Sequence, residues 1–135
     1  MIDESCPIEE VRNYFGNDRF ATEACKCRVL EASHGHAVCA FTIEDIHRNA
    51  TGNVMGGAIF TLADFALAIA CNIGENPTVS IHNSIEYLSA TKGTELTATC
   101  ECDRSGRSTG FYTIDVRDNL GVHIAHMIAT CARRP

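Results

Sequence analysis

The chain has 135 residues, of which 45% are hydrophobic and 21% are charged. These proportions are typical of one globular domain, so we expect residues 1–135 to form a single folded unit. The formal net charge is −6, with 11 Lys and Arg residues in all, which argues against a nucleic-acid partner because phosphate binding requires clustered basic residues.

The first thirty residues show neither the basic start nor the apolar stretch of a secretory signal peptide. The longest apolar run, residues 58–73, is interrupted by Asp64 and is shorter than the roughly 20 residues that cross a bilayer. We therefore expect a cytoplasmic protein with no membrane partner, in which the eight cysteines are reduced thiols.

Four of the cysteines form two pairs with one-residue spacing, Cys25 with Cys27 and Cys100 with Cys102. On a strand, this spacing places both sulfur atoms on one face. Zinc sites more often use longer spacings on turns, so we expect thiols that fill the core, and no metal.

The first third of the sequence predicts a helix followed by a hairpin. Apolar residues recur at helical spacing over 8–14, directly after a proline. Segments 24–33 and 37–43 alternate like strands, and Gly35 lies between them where a hairpin turn is expected.

The second half predicts one long buried helix and then a series of strands. The apolar run 58–73 ends at Gly74, a typical C-terminal cap residue. Four strand-like segments follow, separated by turn residues, at about 79–88, 94–103, 109–118 and 122–132. A helix that is apolar nearly all round must be covered on most sides, so we predict an α+β fold in which an antiparallel sheet of about six strands wraps one central helix.

Asp64 is the only charged residue between Ala58 and Ile73. Burying an unpaired carboxylate costs several kcal/mol, so its presence indicates either a functional group or a helix position that faces solvent or a neighbouring amide.

Gly56 and Gly57 precede the apolar run and leave backbone N–H groups free at the positive end of the helix dipole. Such a helix start can form an oxyanion hole, although a glycine pair also serves as a tight entry to a helix. Asp64 lies about 12 Å from Gly56 along one helix, at about 1.5 Å per residue. If both act on one carbonyl, they must come from different subunits, so we expect a homodimer or homotetramer with active sites between subunits.

The segment MGGAIFTLADFALAIACN, with Asn49 six residues before it, resembles the helix motif of hotdog thioesterases of the phenylacetyl-CoA type. The similarity continues through VSIHNSIEYLSATKG and SGRSTGFYTIDVRDNLGVHIAHMIAT, and so covers roughly residues 40 to 132. The resemblance implies a hotdog fold and hydrolysis of an aryl- or short- to medium-chain acyl-CoA to free acid and coenzyme A, with no cofactor beyond the coenzyme A of the substrate.

By this resemblance, Asp64 would act as nucleophile or general base and the Gly56 N–H would polarise the thioester carbonyl. Asn49 would position substrate or water, and Ser80 would place a hydroxyl near the attacking water. One departure is Met55, where the family usually has histidine, because a thioether cannot donate a hydrogen bond.

Further residues are expected to bind the substrate. Coenzyme A carries phosphates, and several loop residues match positions that hold its nucleotide in similar proteins. Each of them can equally be a solvated turn residue. The predicted substrate-binding set is Met55, Gly57, Asn83, Lys92, Arg104, Ser105, Arg107 and Ser108.

Two other functions stay open at this point. Met55 is compatible with a protein that binds acyl-CoA without turning it over. A hotdog dehydratase or hydratase would need a histidine for acid-base chemistry, for which His47 and His82 are the available residues.

Overall fold

A computed structural model describes residues 2–135, and this part of the chain contains two α-helices and six strands. The elements are α1 (Ile8–Phe15), β1 (Arg28–Ser33), β2 (His36–Thr42), α2 (Gly56–Asn72), β3 (Thr78–Tyr87), β4 (Glu95–Ser105), β5 (Thr109–Asp118) and β6 (His123–Arg133).

The six strands form one sheet in the order β1-β2-β4-β5-β6-β3, and each neighbouring pair is antiparallel. Helix α2 packs against all six strands. Most of its side chains are buried, as expected for a helix that is apolar nearly all round. This arrangement confirms the predicted hotdog fold. No helix within residues 2–135 is long and apolar enough to cross a membrane.

The start of β1 differs from the prediction. Residues 24–27 were expected to belong to a strand, but Phe20–Ala24 forms a π-helical turn and Lys26 has a φ of 58°. Backbone bonds from Cys25 N to Phe20 O and from Cys27 N to Ala21 O hold this turn together. Cys25 and Cys27 are both buried, so the sequence alternates between buried and other residues as a strand does, although the backbone here is not extended.

The cysteines are all free, and six of the eight are buried. Cys100 and Cys102 lie on one face of β4, toward the core, as their spacing predicts. These thiols add apolar volume between the sheet and α2.

Strand β3 forms one edge of the sheet and pairs only with β6 on its inner side. A bulge between Ser80 and His82 changes which residues face the helix, so Ser80 pairs with the buried Cys131 while His82 faces outward. Val79 and Ile81 on this edge strand are 53% and 62% exposed. An exposed apolar edge strand is a surface that proteins usually cover by pairing.

Candidate active site

Asp64 lies on α2, half-buried, and faces two cavities. The first, which we call the Asp18 cavity, has a volume of about 360 Å³ and lies between α2 and residues 18–21. The second, the Ser80 cavity, has a volume of about 230 Å³ and lies between α2 and the start of β3. The structure therefore brings together Asp64 and Ser80, two of the predicted catalytic residues.

The surroundings of Asp64 make its carboxylate more basic than usual. Burial raises the pKa of Asp64 above its ordinary value, and repulsion from the Asp18 carboxylate raises it further. Burial also raises the pKa of Asp18. Within the described part of the chain, no hydrogen-bond donor contributes to the pKa of Asp64. A partly desolvated carboxylate without a donor is free to accept a proton or to attack a carbonyl carbon.

Cys71 also lines the Ser80 cavity. A hydrogen bond with Cys131 and burial both raise the pKa of the Cys71 thiol. Because the thiolate is the nucleophilic form, this thiol does not compete with Asp64 for the role of nucleophile.

The Ser80 hydroxyl is held by Asn83, whose Nδ2 donates a hydrogen bond to Ser80 Oγ over 3.3 Å. The Oδ1 of Asn83 is buried and accepts no hydrogen bond from residues 2–135. Asn83 was predicted to bind the substrate, and its contact here is with Ser80.

The start of α2 leaves two backbone donors unused. The first bonds inside the helix run from Ala58 N and Ile59 N to Met55 O, at 3.0 and 3.2 Å. The N–H groups of Gly56 and Gly57 donate no backbone hydrogen bond inside the described chain. This is the arrangement that an oxyanion hole at a helix start requires.

Tyr87, at the end of β3, holds the start of α2 in place, and the sequence analysis did not identify it. Its hydroxyl donates to the Gly56 carbonyl over 3.0 Å, and a Cβ on Gly56 would lie 3.2 Å from Tyr87 Cζ. A larger residue at this position would therefore require the Tyr87 ring to shift by a few tenths of an ångström. The alternation of β3 turns Ile85 and Tyr87 to the same face, which predicts the side of the sheet on which Tyr87 lies but not the group that it contacts.

Asn49 organises its own loop. Its Oδ1 accepts hydrogen bonds from Thr51 N, Thr51 Oγ1 and Asn53 N, at 3.0, 2.8 and 3.1 Å. Only the amide nitrogen of its side chain remains for a substrate or a water molecule. The predicted catalytic role of Asn49 stays a prediction.

Met55 and Gly57 line an apolar cavity of about 480 Å³, which we call the Met55 cavity. It lies between the first turn of α2 and the π-helical turn Phe20–Ala24. Met55 is 53% exposed, and its thioether side chain adds apolar surface where an imidazole would add a polar group.

Neither histidine considered for acid-base chemistry is placed to act with Asp64. His47 lines the Met55 cavity, but its Nδ1 accepts from Glu44 N over 2.9 Å and its Nε2 donates to Cys25 O over 2.6 Å. His82 lies on the outer face of the sheet, beside Phe111. This placement disfavours a dehydratase or hydratase.

The predicted nucleotide-binding residues fall at two ends of the molecule. Arg104, Ser105, Arg107 and Ser108 lie at the hairpin between β4 and β5, and Lys92 lies before the other end of β4. The eleven residues of β4 span roughly 35 Å, so Lys92 and this hairpin cannot bind one nucleotide within one chain.

Arg133, which the sequence analysis also missed, fixes the β4–β5 hairpin. Its side chain is only 5% exposed. Its guanidinium donates to Gly106 O over 2.8 Å and to Ser105 Oγ over 2.9 Å, and its Nε lies 3.0 Å from Glu75 Oε2. Ser105 is thus held by the protein itself, whereas Arg104 and Arg107 are exposed.

Gly56 and Asp64 do not meet within one chain. Gly56 lines a separate cavity of about 480 Å³ with Tyr87, on the β3–β6 side of the helix start. The helix between them is continuous, so the separation of about 12 Å expected from the sequence holds.

Comparison with known proteins identifies the class of this chain. Residues 51–124 match the family model described as the thioesterase superfamily. Human acyl-coenzyme A thioesterase 13 is 30% identical over 112 residues, which cover 76% of this chain and 80% of the human protein. The chain belongs to the thioesterase superfamily.

Solved structures place the chain more narrowly. The Escherichia coli PaaI protein, from the phenylacetic acid degradation operon, aligns with a TM-score of 0.87 and 26% identity, covering 95% of this chain and 93% of PaaI. A thioesterase protein of Streptococcus pneumoniae, solved with coenzyme A, aligns with a TM-score of 0.77 and 27% identity over 89% of this chain and 94% of that one. Within the superfamily, the chain is a hotdog-fold thioester hydrolase of the PaaI type.

Proposed function

We propose that this protein hydrolyses acyl-CoA thioesters whose acyl group is aromatic or a short to medium aliphatic chain. The observation that carries the proposal is Asp64, a half-buried carboxylate with a raised pKa beside Ser80, on the same helix whose first N–H groups are free. The names of the human and Escherichia coli relatives and the coenzyme A bound to the streptococcal neighbour support the substrate class.

In the proposed reaction, the thioester carbonyl accepts a hydrogen bond from the Gly56 N–H, which stabilises the negative charge that develops on its oxygen. Asp64 either attacks the carbonyl carbon or removes a proton from a water molecule that attacks it. Ser80 orients that water. If Asp64 attacks, water then hydrolyses the mixed anhydride that forms. In either route the carbon–sulfur bond breaks, the hydroxyl group of one water molecule becomes part of the free acid, and the other proton of that water leaves with the coenzyme A thiolate as the thiol.

The proposed reaction requires a second subunit, because Gly56 and Asp64 lie about 12 Å apart along α2 and face different cavities. Pairing of two β3 edges would cover Val79 and Ile81 and bring a second α2 close. We therefore propose a dimer with two shared sites, with pairing of dimers into a homotetramer.

The acyl group would occupy the Met55 cavity, which lies beside the proposed oxyanion hole. Its volume of about 480 Å³ is in the lower half of the range for small-molecule sites. The phosphates of coenzyme A would lie near Arg104 and Arg107, which are exposed at the β4–β5 hairpin. No cofactor enters this scheme.

Met55 favours one other function, in which the protein binds acyl-CoA without hydrolysing it. The loss of a hydrogen-bonding imidazole at this position removes a polar group from the helix start. However, the Gly56 N–H and Asp64 carry the main steps of the scheme, and both are present. Release of free thiol from acyl-CoA, followed with a thiol-reactive dye, separates the two functions.

A panel of acyl-CoA substrates tests the proposed acyl cavity. We expect kcat/KM to rise from acetyl to medium chains by roughly fourfold per methylene, because each buried methylene contributes about 0.8 kcal/mol. Beyond medium chains kcat/KM should level off, and phenylacetyl-CoA should be turned over. Met55→Leu, which keeps the lining apolar, should preserve this order, and Met55→His should flatten it. A preference that still rises at palmitoyl-CoA would rule out this cavity as the acyl site.

The pH dependence of turnover tests whether Asp18 acts on Asp64. Activity requires ionised Asp64, so kcat should fall as the pH drops through the pKa of this carboxyl. Asp18→Asn removes a repulsion that raises this pKa, so the acidic limb of the kcat profile should move to lower pH. Asp45→Asn, at an exposed carboxylate outside both Asp64 cavities, should leave the profile unchanged. An unmoved acidic limb in Asp18→Asn would show that the two groups are not coupled.

A further inference from the structure

Asp115 on β5 and His123 and His126 on β6 form a cluster on the outer face of the sheet, away from α2. His123 Nε2 and His126 Nδ1 both lie close to the same oxygen, Asp115 Oδ1, at 2.8 and 2.7 Å. All three side chains are partly buried. Their neighbours Ile114 and Met127 point into the core, which places the cluster on the opposite face from Asp64.

The sheet holds these three residues in place. Asp115 and His126 are directly paired in the ladder between β5 and β6. A bulge between Val116 and Arg117 changes the register there, so that His123 pairs with Arg117 while its ring turns back to Asp115. The cluster therefore rests on two central strands and needs no loop rearrangement to form.

The spacing of the three groups suits a transition metal. One ligand atom from each side chain lies within 4.8 Å of the other two, and in residues 2–135 this is the only group of His, Cys, Asp and Glu found to do so. Tetrahedral zinc, with bonds of about 2.0–2.1 Å, requires ligand atoms about 3.3 Å apart. Each histidine nitrogen needs to move only about half an ångström from Asp115 Oδ1, which side-chain rotation provides.

The charges around the cluster are mainly negative. Glu86 on β3 is directly paired with His126, on the side opposite Asp115, and adds a second carboxylate to this part of the sheet. Arg117, paired with His123, is the positive side chain nearest in the ladder, and Thr99 pairs with Asp115. This part of the sheet therefore carries two carboxylates and two imidazoles but only one guanidinium, and this balance of charge favours binding of a divalent cation.

His36, on the same face of the sheet, also lies between carboxylates, but in an arrangement that cannot bind a metal ion. It contacts two carboxylates through opposite ring nitrogens, with Nδ1 at 2.6 Å from Glu101 and Nε2 at 2.9 Å from Glu31. Its partners diverge across the ring and cannot bind one ion together. The nitrogens of His123 and His126, in contrast, converge on one oxygen.

We propose that Asp115, His123 and His126 bind one divalent transition-metal ion of the zinc and cobalt class, with water completing the coordination. The ion replaces the two ring protons that face Asp115 and crosslinks β5 to β6. The sequence analysis predicted no metal site, because these ligands are spread over two strands and His123 reaches Asp115 only through the bulge in the strand pairing.

Titration of the untagged oligomer with Co²⁺ tests this site directly. We expect one ion per chain and visible d–d absorption of cobalt in a nitrogen- and oxygen-ligated site, which Zn²⁺ displaces. His126→Asn and His123→Asn should each weaken binding by about tenfold or more, since even the loss of an outer-shell partner costs 10–100-fold in metal affinity. His36→Asn should bind like the parent.

The proposal would be overturned if cobalt produced no visible absorption, or if His126→Asn bound cobalt as tightly as the parent. It would also be overturned by a near-ultraviolet thiolate-to-cobalt band, which would show that cysteines bind the ion. Asp115→Asn provides a second test if a histidine variant does not fold, with far-ultraviolet circular dichroism as the check on folding. Zn²⁺ should also raise the Tm of the parent and of His36→Asn, but not that of Asp115→Asn.

Discussion

Replacing Asp64 by asparagine is expected to lower kcat for acyl-CoA hydrolysis by about 10²–10⁴-fold, the contribution typical of a general base. Asparagine has nearly the same shape, but it can neither accept a proton at neutral pH nor attack a carbonyl carbon. Neither polar neighbour in the Ser80 cavity can take over, since the Cys71 thiol has a raised pKa and Ser80 has no base in this cavity except Asp64. Single-turnover kinetics of thiol release measures the effect on the chemical step.

The same substitution should not destabilise the fold. The pKa of Asp64 is raised in the folded state, so folding favours its protonated form. Below the pKa that Asp64 has in the unfolded chain, its ionisation does not lower the free energy of unfolding. As the pH rises from that value to the higher pKa in the folded protein, ionisation lowers the free energy of unfolding, and above the folded pKa this loss is complete. At neutral pH, Asp64→Asn removes this loss, so its Tm should equal or exceed that of the parent. A parent-like kcat in a folded Asp64→Asn oligomer would exclude Asp64 as the catalytic group.

Gly56→Pro is expected to lower kcat by about 10²–10³-fold, the effect of removing one donor from an oxyanion hole. Proline lacks the N–H but is well tolerated at the first position of a helix, which Gly56 occupies in α2. The preceding Met55 has φ −65° and ψ 138°, the extended conformation that a following proline requires. The substitution therefore removes the proposed donor and keeps the helix.

Gly56→Ala is the matched control, because it adds the same Cβ near Tyr87 but keeps the N–H. That Cβ would lie 3.2 Å from Tyr87 Cζ, so both variants require the tyrosine to shift slightly. The kcat of Gly56→Ala should stay within about tenfold of the parent, and KM should change little in either variant. Equal losses in the two variants would assign the effect to packing against Tyr87 and would remove the Gly56 N–H from the mechanism.

Periodicity predicted most of the fold. The change from helical to alternating spacing after Pro77 separated α2 from the four strands that follow it, and apolarity all round α2 predicted that a sheet covers it. The prediction of a strand at residues 24–27 was wrong because the buried Cys25 and Cys27 alternate as in a strand. Their backbone N–H groups in fact donate to the carbonyls of Phe20 and Ala21 and form a turn. Burial alone does not distinguish these two conformations.

The candidate site was predictable where its residues share one element. Asp64 and Gly56 lie on α2, and one helix fixes their separation, so the prediction of a site shared between two subunits followed from the sequence. Tyr87 and Arg133 depend on contacts between distant strands and loops, and a single sequence does not reveal which carbonyl or hydroxyl they reach.

The sequence also did not show how far apart the predicted nucleotide-binding residues lie in the fold. Lys92 and Arg107 both lie in loops, but the length of β4 separates them. The catalytic roles of Asn49 and Ser80, the oligomeric state, the cytoplasmic location and the absence of a cofactor stay predictions.

The most direct measurement is the activity of mixed oligomers that contain Asp64→Asn chains and Gly56→Pro chains, coexpressed with different tags and purified through both. Each variant alone should be nearly inactive. If the site is shared, every mixed dimer has one site with an intact Asp64 from one chain and an intact Gly56 from the other, and shows roughly half the parent kcat per dimer. Mixed oligomers as inactive as the single variants would show that both groups act within one chain and would contradict the proposed site.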